Sequence, residues 1–375
     1  MSARHRRLQG AALAAVALLL GPWAARPAGA QVTWRDLVVT MGGSVEAYSG
    51  NLSAVTGPVV DSTDQVLAVV GEMGVRGDLS LGPAFVLSFD GGMRQTAALG
   101  FQLRDYAPRE WVGSASGRYS QSLGGWGSLV LGGGVRGRSV RDRPPMPLFL
   151  QPGYTTLQGS AGVLTRSFDG VTFDGQVDLE RADYRAQEFL PQINLLDRTS
   201  SGLEAGVRWG GTSVIRFYGG FRWTDYGNQG SFDPEDPFRR DRTARVGLEW
   251  TYAGALFAQV GVDGTVNRSN GNRPEYDAVS ARALLTAALP LDFSLNIFAL
   301  LTMKSYVHEI DFVFLVPGEE ADNASIAYLQ LGRPIATDLD GAFRLGWTRA
   351  ETDIGNTYYR RLGASLQLNY RPNGF

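Results

Sequence analysis

Alternation of apolar and polar residues is the feature of this chain that most limits its fold, and the final segment shows it best. The even positions of residues 362–370 hold leucine, alanine, leucine, leucine and tyrosine, whereas the odd positions of residues 361–371 hold arginine, glycine and polar residues. Successive side chains of a strand point to opposite faces, so this segment has one apolar and one polar face. A strand of a water-soluble sandwich has the same pattern, so the rest of the chain has to decide between a sandwich and a barrel in lipid.

The amino terminus has the three parts of a secretory signal peptide. Basic residues precede a short apolar run at 11–20, and an Ala-Gly-Ala sequence at 28–30 fits a cleavage site. The apolar run is about half the roughly 20 residues that a spanning helix needs. We therefore predict a cleaved signal peptide over residues 1–30 and a mature domain over residues 31–375, with an uncleaved N-terminal anchor as the alternative.

The absence of cysteine and the small net charge exclude several kinds of site. The chain has no Cys, which excludes disulfides, thiolate metal sites and a lipoprotein anchor. A formal net charge of -2 indicates no polyanion-binding surface, so nucleic acid is not expected as a partner. The 48 glycines are spread along strand-like stretches, where glycine allows bends and close packing.

The connections between the predicted strands alternate in length. About sixteen strands follow residue 31, with 14 or 18 as alternatives. Short turns such as Gly211-Thr212 follow even-numbered strands, and long loops such as 51–65 and 309–322 follow odd-numbered ones. Membrane barrels sort their connections in this way, with short periplasmic turns and longer extracellular loops. The sequence therefore predicts an all-β fold: a transmembrane, antiparallel, up-and-down β-barrel of about sixteen strands in a single domain.

The face opposite the apolar one carries many charges, and in a membrane barrel it faces the lumen. The residues predicted to line the pore are Arg94, Arg136, Arg138, Asp174, Asp178, Glu180, Arg208, Arg216, Arg222, Arg245, Glu249, Asp263, Arg282, Arg344 and Arg361. Two interpretations stay open: a water-filled pore with a charged wall, or a lumen plugged by its own Arg–carboxylate pairs. The excess of arginine on later strands, against acids near 174–180, predicts an electric field across the lumen.

Aromatic residues fall near both ends of the predicted strands. Their amphipathic rings suit the headgroup level of a bilayer, which predicts two aromatic girdles. Ordinary aromatic enrichment in strands is the alternative explanation. The girdle candidates are Trp126, Trp209, Trp223, Tyr226, Trp250, Tyr252, Tyr306 and Tyr358.

The export signal, the sorted connections and the terminal strand together resemble the bacterial outer-membrane β-barrel superfamily, porin-like members in particular. Such proteins end in an alternating strand that closes on an aromatic residue, which here implies Tyr370 or Phe375 as the assembly signal. Phe375 is out of phase with Tyr370 because Arg371-Pro372-Asn373-Gly374 intervenes. The resemblance implies an outer-membrane location, outer-membrane lipid and the barrel-insertion machinery as partners, and a homotrimer by analogy.

No pattern of catalytic residues appears in the mature chain. His308 is its one histidine and has inward parity at a loop end, so we expect no enzyme, no catalytic residue and no cofactor. Asp233-Pro234-Glu235-Asp236 lacks the glycine and spacing of an EF-hand loop, so an acidic loop in solvent is favoured over a cation site and no metal is expected.

The expected function is passive diffusion of small hydrophilic solutes through the lumen of an outer-membrane porin. The alternative is a closed structural, adhesive or surface-assembly barrel without transport. A channel for hydrophobic compounds is a third hypothesis, but it requires apolar residues on the inward face and an N-terminal plug, and neither is evident in the sequence.

Overall fold

Sixteen β-strands make up nearly all of the structure, which is a computed structural model. It describes residues 32–50, 66–99, 109–141, 153–185, 191–231, 234–271, 275–307, 325–351 and 358–372. The strands are β1 Val32–Gly50, β2 Val66–Leu81, β3 Phe85–Leu99, β4 Arg109–Ser122, β5 Gly127–Arg141, β6 Tyr154–Thr165, β7 Val171–Tyr184, β8 Arg198–Gly210, β9 Ser213–Gly230, β10 Phe238–Ala253, β11 Leu256–Ser269, β12 Tyr276–Ala288, β13 Ser294–Tyr306, β14 Ser325–Ala336, β15 Leu339–Glu351 and β16 Tyr358–Tyr370. Single 3₁₀ segments lie at Gly124–Trp126 and Pro191–Leu196.

The strands form one closed antiparallel barrel in which each strand pairs with its neighbours in sequence. Strand β1 closes the ring against β16, with Val39 opposite Tyr370 and Gly50 opposite Tyr359. Closure removes the unpaired strand edges that an open sheet would expose. The predicted fold class and the strand number of sixteen are therefore confirmed.

Connections differ sharply in length between the two ends of the barrel. The turns after even-numbered strands run from two residues, as at 211–212, to five, as at 289–293. The connections after odd-numbered strands run from six residues, as at 270–275, to eighteen, as at 307–324. The alternation predicted from the sequence is thus present, and all long connections leave the same rim.

Two strands extend further than the sequence pattern predicts. Strands β9 and β10 reach Gly230 and Phe238, so the predicted loop 227–240 shortens to 231–237. The alternation of apolar and polar residues stops near Trp223 because the outward positions that follow are charged, with Asp225 on β9 and Arg240 on β10. The outward-facing Arg240 and Asp225 pair at 3.2 Å, which stabilises the extension where no apolar pattern marks it.

A band of exposed apolar side chains surrounds the barrel. On β9 the outward positions from Ile215 to Trp223 are apolar, and Phe217 and Phe221 are more than half exposed. Eight residue steps of about 3.4 Å, tilted about 40° from the barrel axis, give a height of about 21 Å. This height approaches the apolar belt of about 25 Å that membrane barrels carry. Among the residues described here, no helix has the length and apolar character that crossing a membrane requires.

Replacing Leu248 tests whether this band faces lipid. Leu248 lies outward near the middle of β10 and is 53% exposed. We expect Leu248→Arg to lower the free energy of unfolding by about 2–4 kcal/mol, the cost of an arginine at the bilayer midplane. The measurement is equilibrium urea unfolding of protein refolded into phospholipid vesicles.

The matched control is Ser280→Arg on the inward face of β12, where Asp263 is the cross-strand neighbour of Ser280. We expect this variant to stay within about 1 kcal/mol of the native chain, since lumen positions tolerate charge. Equal losses in both variants would contradict the assignment of the apolar band to lipid.

Candidate functional site in the barrel lumen

The two faces of the barrel wall differ in burial, and this identifies the inward one. Val38, Ala68 and Val70 share a face and are 1% exposed, whereas Met41 and Leu366 on the other face are 58% and 67% exposed. The buried face also carries ion pairs between strands two apart, such as Arg216 of β9 and Asp174 of β7, whose Nη2–Oδ2 distance is 2.5 Å. Side chains converge only on the concave side of a curved sheet, so this face lines the lumen.

By strand register, the fifteen predicted pore-lining residues all occupy this inward face. Most of the predicted charges on β7 to β12 are brought together there. We call this cluster the charged wall. Its members are Asp174, Asp178, Glu204, Arg208, Arg216, Tyr218, Arg222, Arg245, Glu249, Asp263 and Arg282.

Arg216 is the junction of the charged wall. Its Nη2 lies 2.5 Å from Asp174 Oδ2 and 2.7 Å from Glu204 Oε1. Arg208 donates a second bond to Asp174, with an Nε–Oδ1 distance of 2.9 Å. One guanidinium thus binds two carboxylates and one carboxylate binds two guanidiniums, so the three strands β7, β8 and β9 are linked by a continuous ionic network.

The remaining charges of the wall form separate pairs. Arg222 Nη2 lies 2.9 Å from Asp178 Oδ2, and Arg245 Nη2 lies 2.7 Å from Asp263 Oδ1. Arg282 pairs with Glu249, which bridges β12 and β10. The charges therefore run along the wall from strand to strand.

Tyr218 lies at the centre of the wall and was not predicted as a site residue. Its ring is 2% exposed, with the guanidinium carbons of Arg216 and Arg245 at 4.7 and 5.3 Å from the ring centroid. Its hydroxyl accepts a bond of 3.2 Å from Arg245 Nη2. Each guanidinium is attracted to the electron-rich face of the ring, so these contacts hold Tyr218 in place between the two arginines. The alternation along this strand predicts that Tyr218 faces inward with Arg216 and Arg222, but it does not predict these contacts.

Inward-facing glycines let these side chains lie flat against the wall. A Cβ added at Gly247 would meet the Tyr218 Cζ at 2.4 Å, and one at Gly202 would meet the Asp178 Oδ1 at 2.3 Å. A Cβ at Gly261 would lie 2.9 Å from the Arg282 Nε. The absent side chains leave the space that the charged groups occupy, so glycine at these positions sets how far the wall projects into the lumen.

The other side of the lumen is less completely paired. Arg94 pairs with Glu46, and Arg138 Nε lies 2.8 Å from Glu110 Oε1. On the face described by the structure, no carboxylate partner is present for Arg136, Arg344 or Arg361. On the same side as the charged wall, Glu180 of β7 lies 3.8 Å from an Arg198 nitrogen, at the edge of ion-pair range.

The predicted electric field across the lumen is wrong for the acids near 174–180. Asp174, Asp178 and Glu180 each face an arginine of β8 or β9 on the same side of the barrel. Strands β8 and β9 bring to these acids arginines that are 18 to 44 residues away in sequence. These acids are therefore neutralised locally.

The girdle candidates take several positions. Trp126, Trp209 and Trp250 lie at the rim of the short turns and are 80%, 65% and 39% exposed, and Trp223 lies at the upper edge of the band with 45% exposed. The rings of Trp250 and Tyr252 stack at 6.3 Å. Tyr370 ends β16, outward and 47% exposed.

Tyr226 corrects the girdle prediction, because it is 5% exposed and faces inward. The guanidinium of Arg239 lies 4.2 Å from its ring centroid and binds Asp241 with an Nη2–Oδ2 distance of 2.5 Å. Arg239 Nη1 also donates to Gln229 Oε1 at 2.9 Å. Tyr226 has the same parity as Thr224 and Arg222, so the alternation that placed those residues inward already placed Tyr226 there.

The connection between β7 and β8 packs onto this rim. Leu196 is fully buried, and Gln229 Nε2 donates to the Leu195 carbonyl at 2.6 Å. Burial raises the pKa of the Asp197 carboxyl, an effect that the hydrogen bond from the Tyr184 N–H partly offsets. The segment Pro191–Leu196 is thus held against the upper end of β9.

Several predictions fall outside the described residues. These are the signal peptide over residues 1–30, His308, Asp233 and Phe375. The side chains of Tyr306 and Tyr358, at strand ends, also lie outside the description. Asp236 of the acidic loop binds Arg240 at 2.9 Å, and no cluster of metal-binding side chains occurs among the described residues.

Comparison with known proteins gives matches to solved structures only. No family model matches the chain, and no curated protein matches it. The outer membrane channel DcaP of Acinetobacter baumannii has a TM-score of 0.44 and 10% identity, covering 92% of this chain and 99% of that one. A bacterial polysaccharide outer membrane secretin has a TM-score of 0.41 and 12% identity, with coverages of 90% and 98%.

OmpT, an outer membrane protein of Vibrio cholerae, has a TM-score of 0.40 and 10% identity, with coverages of 92% and 99%. Because the identities are near 10% and the TM-scores are below 0.5, these likenesses carry no inference about the activity of this chain.

Removing the junction of the charged wall is expected to cost more than removing an outlying pair. Arg216→Met leaves Glu204 without its arginine and Asp174 with Arg208 alone, whereas Arg222→Met removes one exposed pair. We expect Arg216→Met to lose at least about 1.5 kcal/mol more free energy of unfolding than Arg222→Met, because about 1.5 kcal/mol is the lower value for one hydrogen bond to a charged group. Urea unfolding in detergent measures the difference, and equal losses would show that the network adds nothing beyond isolated pairs.

The packing of Tyr218 on Gly247 gives a second test. Gly247→Ala forces the buried ring off the wall, so we expect a loss of about 1–3 kcal/mol, as for overpacking. Gly264→Ala is the control, because a Cβ there has no atom within 4 Å. The midpoint temperature of heat-modifiable migration on gels measures the stability of both variants. A fall in this temperature for Gly264→Ala as large as for Gly247→Ala would refute the contact.

Proposed function

We propose that this protein is an outer-membrane channel for passive diffusion of small hydrophilic solutes. The observation that carries the proposal is a lumen whose charged side chains lie along the wall, over inward-facing glycines. In this proposal the short turns lie in the periplasm, and the barrel-insertion machinery recognises the end of β16 at Tyr370. The proposal also includes a homotrimer, by analogy with porins of this size. It includes no enzymatic activity and no cofactor.

The dimensions of the barrel support an open lumen. Sixteen strands about 4.8 Å apart and tilted about 40° give a backbone cylinder roughly 32 Å across. Barrels of sixteen to eighteen strands generally leave an aqueous channel. The ion pairs of the charged wall join strands at most two apart, so they neutralise one another without reaching across this width.

The apolar band supports the membrane location. Exposed apolar residues on the outward face would be unfavourable in water, since a soluble monomer rarely exposes a contiguous apolar surface of this extent. Above the band the outward positions become charged, with Arg181, Asp225, Arg240 and Arg268 near the long connections. A polar collar at that rim fits strands that extend past the headgroups into solvent.

Conductance in a planar lipid bilayer tests the proposal. We expect protein refolded in detergent to give stable, ohmic current steps in KCl, and liposomes that contain it to swell in arabinose faster than in a tetrasaccharide. Heat-modifiable migration establishes that the inserted protein is folded. Folded, inserted protein without current would favour the alternative of a closed structural, adhesive or surface-assembly barrel.

A further inference from the structure

One part of the inward face is apolar, in contrast to the charged wall beside it. We call the five residues Leu284, Phe298, Leu300, Ile326 and Tyr328 the apolar patch. Leu284 is the cross-strand partner of Phe298, and Phe298 is that of Tyr328, so three strands contribute adjoining side chains. Leu300 and Ile326 are likewise partners. All five side chains are half-buried, so each retains surface toward the lumen.

The aromatic members of the patch are in contact with each other. The ring centroids of Phe298 and Tyr328 are 5.3 Å apart, and their planes differ by 25°. The cross-strand partner of Tyr328 on β15 is Gly346, and Arg344, two residues earlier on the same face, reaches back so that its guanidinium carbon lies 4.8 Å from the Tyr328 ring centroid. Four neighbouring strands spaced about 4.8 Å apart give the row from Leu284 to Arg344 a width of about 14 Å.

Positive charge at the end of this row is not neutralised. Arg344 Nε and Nη2 donate to the Gln330 Oε1 at 2.8 and 2.5 Å, and glutamine carries no charge. Arg361, on the adjacent strand, donates to the Thr348 hydroxyl at 3.3 Å. In the described part of the lumen neither arginine has a carboxylate partner, unlike Arg216, Arg222, Arg245 and Arg282 of the charged wall.

An apolar strip that ends in an uncompensated guanidinium matches one class of solute. We propose that the apolar patch and Arg344 form a binding site for small organic anions with an aromatic or apolar body, of which benzoate is the simplest probe. The ring lies on the patch, where it removes apolar surface from water, and the carboxylate accepts hydrogen bonds from Arg344. This inference rests on the proposed function, because the anion reaches the site from the lumen.

Two other solute classes fit the same wall less well. A sugar needs hydrogen-bonding groups around an aromatic surface, and Leu284, Leu300 and Ile326 supply none. A neutral apolar compound would desolvate Arg344 without compensating its charge. The hypothesis of a channel for hydrophobic compounds required apolar inward residues, and these are present here, but their arginine neighbour favours an amphipathic anion.

Matched probes separate the two parts of the site. Acetate carries the charge of benzoate without its ring, and benzyl alcohol carries the ring without the charge. We expect millimolar benzoate to interrupt the KCl current through the bilayer-inserted protein, with acetate and benzyl alcohol at least tenfold less effective. Equal effects of benzoate and acetate would overturn the proposal.

Matched variants test the assignment to residues. We expect Arg344→Gln and Phe298→Leu each to weaken the benzoate effect about tenfold. Arg118→Gln, which removes an inward arginine of β4 far from the patch, should leave the effect unchanged. A loss of the same size in Arg118→Gln and Arg344→Gln would mean that benzoate responds only to overall lumen charge, and would overturn the site.

Saturation-transfer NMR of benzoate with detergent-folded protein measures binding without any current. Suppose that benzoate binds, that Arg344→Gln abolishes this binding, and that the protein conducts no current. This result would refute the proposed function and leave the binding site standing. A conducting protein to which benzoate does not bind would overturn this inference and leave the channel standing. The two failures are thereby distinguished.

Discussion

Closure of the hydrogen-bonded ring is the constraint on which the rest of this structure depends. Because β1 pairs with β16, no strand edge is left open, and the backbone polar groups of the strands are satisfied without water. Closure also gives the sheet a concave and a convex side, and the two-residue period of each strand then sorts every side chain to one of them. The apolar band and the charged wall are two consequences of the same geometry.

The sequence predicted this sorting well because the signal is local. Alternation and turn residues were enough for sixteen strands, for the sorted connections and for the inward parity of residues such as Arg216 and Arg245. These signals did not predict the strand ends where the strand continues without an apolar face. Strands β9 and β10 extend above the band on polar pairs such as Arg240 with Asp225, and Tyr226 turned out to face inward beneath Arg239.

Partnerships between charges could not be predicted, because they depend on register between strands. Asp174 and Arg216 are 42 residues apart, and only the stagger of β7, β8 and β9 places their side chains in contact. The same holds for Phe298 and Tyr328, whose adjacency follows from the pairing of β13 with β14. Strand parity assigns a face to each of these residues but not a neighbour. It therefore does not distinguish a wall of paired charges from a lumen in which positive and negative charges lie on opposite sides.

The two-residue period also places alternate residues of each strand under two different kinds of selection. On β10, Val246 and Leu248 meet the surroundings of the barrel, while Arg245 and Glu249 meet its contents. Changes at one set of positions leave the other set untouched, provided that the length of the strand is kept. A lineage of such barrels can therefore change what passes through the lumen by substitution at alternate positions, whereas gain or loss of one residue within a strand exchanges the two sets and forfeits both.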